Sequence, residues 1–333
     1  MVEDIVLFSK RDTDSNFLYL GVFYLYFRNT FSDLIDDSKE KKVTSVNTIT
    51  YFLTNVINQT YLKLTEESNI PESHRPLINM KNEFMLARIL LTKNKKNYAS
   101  SVLMKEGKLY NNAKIDIKGL AIKKTSTNKF VRNYFQEILD KDIINADNIN
   151  YSTIIGKYFK FSDKIRDSII SGSTDFSIPG TANEISSYKD PYSQQSVRGI
   201  LLWNTLFPEN EITLPTKVNM FKISIGPDIS EFEQKVKDYY FNNGLELDEK
   251  DFNEFLLRME EALNNEKLFK KGLITIISFP KTLKKFPSYL IPFIEVDTVI
   301  LDQLNSGTIL LDCLDIQTIK INNKLVPTNI IKV

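Results

Sequence analysis

The sequence predicts an α+β protein in which antiparallel strands come first and helices dominate the remainder. Three observations predict it. Two short β-rich runs flank a polar turn within Met1 to Leu20. Three strand-like runs lie between Phe84 and Ile122, separated by short turn-forming stretches. From Thr125 onward, apolar residues recur mainly at helical spacing.

Composition narrows the class. The chain has 333 residues and 42% hydrophobic content, enough to bury a core in one large or two modest domains. A net charge of +1 means that any nucleic-acid contact must come from local basic clusters rather than a basic whole. A single cysteine, Cys313, excludes a disulfide framework, fits a reducing compartment and is expected to pack in an apolar stretch. The one histidine, His74, has no His or Cys companion at zinc-site spacing and is expected at the surface. No apolar run reaches membrane-spanning length, and Glu3 and Asp4 argue against a signal peptide, so a cytoplasmic location without membrane contact is expected. Abundant Asn, Ile and Lys suggest an AT-rich coding sequence, as in a phage or similar source.

In order along the chain, Val2 to Phe8 and Phe17 to Leu20 read as the arms of a hairpin with Asp12-Thr13-Asp14-Ser15 at its tip. Two carboxylates at i and i+2 can converge on one cation, and such oxygen ligands suit Mg²⁺. Gly21 to Asn29 reads as aromatic-rich strand, and Ser32 to Lys42 as a loop or short helix. Asn47 to Glu66 reads as a helix whose apolar face is Ile49, Phe52, Leu53, Val56 and Ile57. Glu67 to Arg75 is an expected polar loop. A meander follows, with strands at Phe84 to Leu91, Ser101 to Met104 and Ile115 to Ile122 and a turn at Gly107. Its edge lysines could simply guard against aggregation. Ser126 or Thr127 is the expected cap of a helix running to about Asp140, ended by Lys141 to Asn150. Tyr151 to Ile170 contains at least one short helix bearing Lys157, Lys160, Lys164 and Arg166. Ser171 to Gln195 reads as a long loop, and Val197 to Asn204 as a buried helix in which Arg198 makes a local ion pair. Lys217 to Ile225 alternates as a strand, and Ile229 to Tyr240 and Asp248 to Asn264 read as amphipathic helices. Toward the end come a β-branched run at Ile274 to Phe279, a helix after Pro292 and strand-like alternation from Ile316.

Asp-Thr-Asp-Ser between two strands resembles the catalytic hairpin of family B DNA polymerases, where Tyr-Gly usually precedes it; here Lys10-Arg11 stands in that place. A given tetrapeptide occurs by chance in such a chain with odds on the order of a few in a thousand. Further motifs follow in the family's order. Lys96-Asn97-Tyr98 is similar to its Lys-x-Tyr, and Lys118-Gly119 to its Lys-Gly strand. Lys123-Lys124 leads into Thr125-Ser126-Thr127, as a basic pair does before the family's next helix. Val197 to Asn204 looks like a segment from the thumbs of phage members, with Trp203 in place of Tyr. The resemblance implies that residues 1–124 are the C-terminal part of a polymerase palm, its catalytic hairpin and antiparallel strands, and that 125–333 form a mainly helical thumb. It implies Asp14 as main metal ligand and Asp12 as secondary carboxylate, holding two Mg²⁺ ions. It places Lys96, Tyr98, Lys118, Lys123 and Lys124 against primer–template DNA.

The family's upstream Asp-x-x-Ser-Leu-Tyr-Pro motif and its fingers pattern, Lys-x-x-x-Asn-Ser-x-Tyr-Gly, do not occur in these residues. The resemblance is therefore to the C-terminal part of a split polymerase. It implies a partner chain carrying the exonuclease, the first catalytic aspartate and the fingers, and sharing both metal ions. A dNTP and a sliding clamp complete the implied partners, and activity is expected only in the complex. Arg11 beside the site could pair with Asp12 and weaken it, or could bind a phosphate; the main rival is a non-catalytic DNA-binding replication accessory protein with a decayed, metal-free palm. A metal-dependent phosphohydrolase has little support with His74 alone, and a purely structural protein would show no salt-dependent DNA affinity.

Overall fold

In the computed structural model the aromatic run after Leu20 closes its own backbone hydrogen bonds instead of pairing with a neighbour. Helix α1 spans Gly21–Thr30, where a strand was expected. Aromatic residues favour strands only when a partner strand and a packing face are supplied. The segment satisfies its N–H and C=O groups helically and stacks Phe27 on Phe31 one turn on, with centroids 6.0 Å apart. The structure describes residues 18–32, 38–92, 96–269, 275–316, 318–321 and 324–327. These fall into two compact units that divide between Gly119 and Leu120.

In the first unit, helix α2 (Lys39–Glu67) is longer than the periodicity suggested, because Ser38 caps it by accepting from the Lys41 N–H. Its expected apolar face is only partly used: Phe52 and Val56 are 64% and 61% exposed. A 3₁₀ turn at Glu72–Leu77, not an open loop, returns the chain. Asn58 clamps it by exchanging two hydrogen bonds with the backbone of Met80. His74 is exposed, as expected. Strands β1 (Phe84–Leu91), β2 (Tyr98–Lys105) and β3 (Lys108–Lys118) form the antiparallel meander read from the sequence, in order β1-β2-β3. The third strand ends sooner than expected. Gly119 takes φ +68°, which turns the chain out of the sheet, and Ala121–Lys123 is a 3₁₀ turn. Val43, Met85 and Met104 form a small core, with Val46 and Leu103 against it.

The second unit is built on larger apolar residues. Helix α3 (Lys129–Ile138) starts at Asn128, not at Ser126 or Thr127. Asn128 Oδ1 accepts from the Phe130 and Val131 amides, while its Nδ2 donates to the carbonyls of Asp175 and Ser177. Thr127 is engaged elsewhere, donating to the Ala121 carbonyl. A π-turn at Leu139–Ile144 continues α3 through the expected break, because the wider turn buries Leu139, Ile143 and Ile144 together. Helix α4 (Tyr151–Ile170) is one continuous element. Strand β4 (Ile178–Ala182) lies inside the expected long loop. Its Pro179 and Gly180 disguise it, yet proline is tolerated there because β4 is a sheet edge. Helix α5 (Gln195–Leu206) packs on the sheet completed by β5 (Thr216–Ile223) and β6 (Thr275–Pro280), in antiparallel order β4-β5-β6. Gly199 makes that approach possible: a Cβ there would lie 2.7 Å from the Ser278 backbone nitrogen. Arg198 forms no ion pair among the described residues; its Nη1 donates to the Tyr192 carbonyl at 3.4 Å. Helices α6 (Ile229–Asn242) and α7 (Glu249–Asn264) are the expected amphipathic pair, capped by Asp228 and Asp248.

A 3₁₀ turn at Ser288–Phe293 leads into α8 (Val296–Cys313), the helix expected after Pro292, which buries Leu310 and Leu311 near its end. Cys313 is half-buried rather than fully packed. Strands β7 (Thr318–Ile321) and β8 (Lys324–Pro327) pair antiparallel. Together the two units make an α+β fold. No helix among the described residues is long and apolar enough to cross a membrane.

Candidate nucleic-acid interface

Lys96-Asn97-Tyr98 and Lys118-Gly119 are far apart in sequence and adjacent in the first unit. The β2–β3 register sets Tyr98 opposite Lys118 and Ala99 opposite Ile117. Residues directly opposite in an antiparallel pair share a face. The strand pair therefore turns half-buried Tyr98 and exposed Lys118 to one side, and buried Ala99 and Ile117 to the other. The β1–β2 connection returns at the same end of the sheet. Thr92 fastens it, donating both its N–H and its hydroxyl to the Asn97 carbonyl, at 3.3 and 2.9 Å.

Gly119 is where these pieces meet. A Cβ there would fall 1.8 Å from Asn97 Oδ1, and its φ is one that glycine adopts without strain. Lys96 is exposed and also takes positive φ, +64°. Lysine, tyrosine and lysine thus converge because one glycine lets the Asn97 side chain lie against the end of β3. Asn97 was not singled out in the sequence; the glycine after Lys118 was its only signal. Lys118 Nζ lies 4.0 Å from Asp116 Oδ2, with the lysine side chain 54% exposed. So long and wet a contact holds weakly and leaves the ammonium able to meet a phosphate.

Lys123 and Lys124 belong to the second unit. Leu120 and Ile122 are buried there, and the Ile122 carbonyl accepts from Gln136 of α3 at 2.8 Å. Two buried anchors so close together force the lysines after them outward, and both are exposed. The α4 stripe divides. Lys157 pairs with Asp142 at 2.6 Å and Arg166 with Asp297, while Lys160 and Lys164 are exposed. Tyr134 donates to the Lys157 carbonyl, and burial followed by the nearby Asp142 raises its pKa. Half of that basic stripe is therefore structural.

Asp12 and Asp14, with the whole Asp12–Ser15 turn, lie outside the described residues. Among the described residues no group of three or more His, Cys, Asp or Glu is placed to hold a metal ion.

The family model of the divergent family B DNA polymerases matches residues 4–327. The chain belongs to that family. A comparison with curated proteins finds no significant match. The matched span takes in the Asp12–Ser15 turn, the lysine and tyrosine of the sheet end and nearly all of the second unit. Its function is accordingly related to DNA polymerisation and replication.

Proposed function

We propose that this divergent family B polymerase chain takes part in template-directed DNA synthesis as the C-terminal subunit of a split enzyme. The observation that carries the reading is the convergence of Lys96, Tyr98 and Lys118 at one end of the first sheet, in a chain of this family. Lys96 and Lys118 hold backbone phosphates of the primer strand, and Tyr98 adds a hydroxyl and a flat ring beside them. Lys123 and Lys124, in the second unit, also contact the primer–template. Asp14 is the main metal ligand and Asp12 its secondary carboxylate; oxygen donors of this type fit Mg²⁺. The bound ions supply acidification of the primer 3′-hydroxyl and charge stabilisation of the transferring phosphoryl group. This chain's own part is to place the two carboxylates and to hold the primer end still while a dNTP is added.

In this reading a partner chain supplies the facing carboxylate, the fingers and the exonuclease. A cytoplasmic setting, such as that of a phage-infected cell, fits the single cysteine.

The test is primer extension by the assembled enzyme. Asp14→Ala abolishes nucleotide incorporation and leaves duplex affinity nearly intact, and Asp12→Ala costs less. Lys96→Ala and Lys118→Ala each reduce the salt slope of duplex binding by about 0.9, the value of one phosphate contact. Unchanged incorporation by the Asp14 variant overturns the assignment. Robust extension by this chain alone overturns the split arrangement.

A further inference from the structure

The second unit has a cleft of about 260 Å³ where α3 begins, and its charged walls are one-sided. Lys129 and Arg132 reach it from the first turn of α3, and Lys281 and Lys284 from the loop after β6. None of these four cations forms an ion pair among the described residues. Asp175 is the sole acid on the wall. Some other cations of this unit do find carboxylates: Lys157 with Asp142, Arg166 with Asp297 and Lys222 with Asp302. Four like charges around one hollow repel one another, and an anion between them relieves that repulsion.

The walls are held in place. Thr174 donates its hydroxyl to the Leu283 carbonyl at 2.6 Å and its N–H to the Lys284 carbonyl at 3.3 Å. Phe286 donates to the Gly172 carbonyl, and Leu283 closes a turn onto the Pro280 carbonyl. Asn128 ties the start of α3 to residues 175 and 177 from the opposite wall. Because Asn128 already accepts from the Phe130 and Val131 amides, anion attraction comes chiefly from the four side chains, with the positive end of the α3 dipole adding to it.

Size and shape limit the occupant. Pockets that enclose whole drug-sized ligands run from about 300 to 1,000 Å³, so this cleft accepts a phosphate group better than an entire nucleoside triphosphate. At its mouth Phe130 is 50% exposed, with its ring packed on Phe176 at a centroid distance of 5.9 Å. A base still stacked within a duplex cannot reach such a ring; an unpaired base can.

We propose that this cleft is a single-stranded DNA subsite, in which Arg132, Lys129, Lys281 and Lys284 seat a backbone phosphate and Phe130 receives the adjoining base. The inference rests on the DNA-synthesis reading but uses neither the carboxylates nor the lysines of the first unit. It is tested on the full chain by fluorescence anisotropy, with a labelled single-stranded oligonucleotide and a blunt duplex across a salt series. Lys281→Ala with Lys284→Ala lowers the single-strand salt slope by about 1.4, two contacts at roughly 0.7 each, and leaves the duplex slope unchanged. Lys281→Arg with Lys284→Arg keeps the slope. Phe130→Ala weakens single-strand binding about tenfold at every salt concentration.

An unchanged single-strand slope in the double alanine variant, with the wild type binding normally, overturns the subsite alone. An equal loss on duplex overturns the single-strand assignment. Displacement of the oligonucleotide by submillimolar dATP, lost in the alanine variant, assigns the cleft to free nucleotide instead and overturns the proposal. If the Asp14 variant still incorporates nucleotides while the cleft variant loses single-strand affinity, the DNA-synthesis reading fails and the subsite stands.

Discussion

The two three-stranded sheets share an antiparallel order and differ in what covers them. In β1-β2-β3 the outer strands are largely half-buried or exposed; Ala99, Val102 and Ile117 are buried, and Val43, Met85 and Met104 form one small core cluster with two partly buried neighbours. In β4-β5-β6, the first five residues of β6 are all buried. Phe221, Phe279 and Phe286 pack against one another there in tilted and edge-to-face pairs, with centroids 5.1 to 5.4 Å apart. One sheet is a thin platform with lysines and a tyrosine at its end; the other is the middle of a core. The difference shows how the chain separates tasks. A surface meant to meet a charged polymer must leave cations in water, and a sheet that does so on one side has less apolar area to stabilise it.

Core truncation gives the largest test of this contrast. Phe135 is fully buried in the second unit, against Tyr158 and Phe161, with its ring filling the space left by Gly307. Phe135→Ala is expected to cost about 3–5 kcal/mol, against about 2 kcal/mol for Met104→Ala in the thinner core. Hydrogen exchange resolved by segment checks it, with protection lost across α3, α4 and α8 in the first variant and across β1 to β3 in the second. Equal costs would remove the contrast.

Two glycines sharpen it at smaller scale. Gly199→Ala pushes a methyl group into the Ser278 backbone between α5 and β6, where neither element can yield, and is expected to cost about 1–3 kcal/mol. Gly119→Ala meets the movable Asn97 side chain and, at 3.0 Å, the Lys96 carbonyl oxygen, and adds left-handed backbone strain, for an expected cost of about 1–2 kcal/mol. Denaturant midpoints measure both. Only the Gly119 variant should also lose duplex affinity, because it displaces Lys118 from Tyr98.

The smallest effect is alkaline. Burial holds the Tyr158 phenol protonated well above its ordinary value near 10, and its hydroxyl donates to the Gly307 carbonyl. The unfolded chain releases that proton near pH 10 and the folded chain does not, so stability is full below pH 10 and falls as the pH rises beyond it. Tyr158→Phe should flatten the fall seen in melting temperature between pH 9 and 11, at a cost of about 1 kcal/mol at neutral pH. A parallel fall in both proteins would place the alkaline sensitivity elsewhere.

Strong periodicity was legible in the sequence wherever it coincided with burial. The meander, the helix after Thr127, the buried helix at Val197 and the amphipathic pair α6 and α7 all follow from spacing, because each turns its apolar residues inward within its own unit. Misreadings cluster where tertiary context overrides local preference. Gly21 to Asn29 has strand-like residues, pairs with no strand among the described residues and becomes α1. Ile178–Ala182 has loop-like residues but an open edge of β5 beside it and becomes β4. Strand identity belongs to the pair, since half of each strand's hydrogen bonds lie on another segment.

By itself the sequence determined the α+β class, the motif order that places the chain among family B polymerases, and which lysines to examine. Residue type and spacing carry that much, because charge, helical period and turn chemistry are local. Only the tertiary structure decided that Tyr98 stands opposite Lys118, and that Asn97 needs a glycine at 119. It also decided that Lys281 and Lys284 face Arg132 across one cleft. Those are contacts between segments distant along the chain. Their geometry is set by strand register and by the packing of buried side chains, which no single stretch of sequence contains.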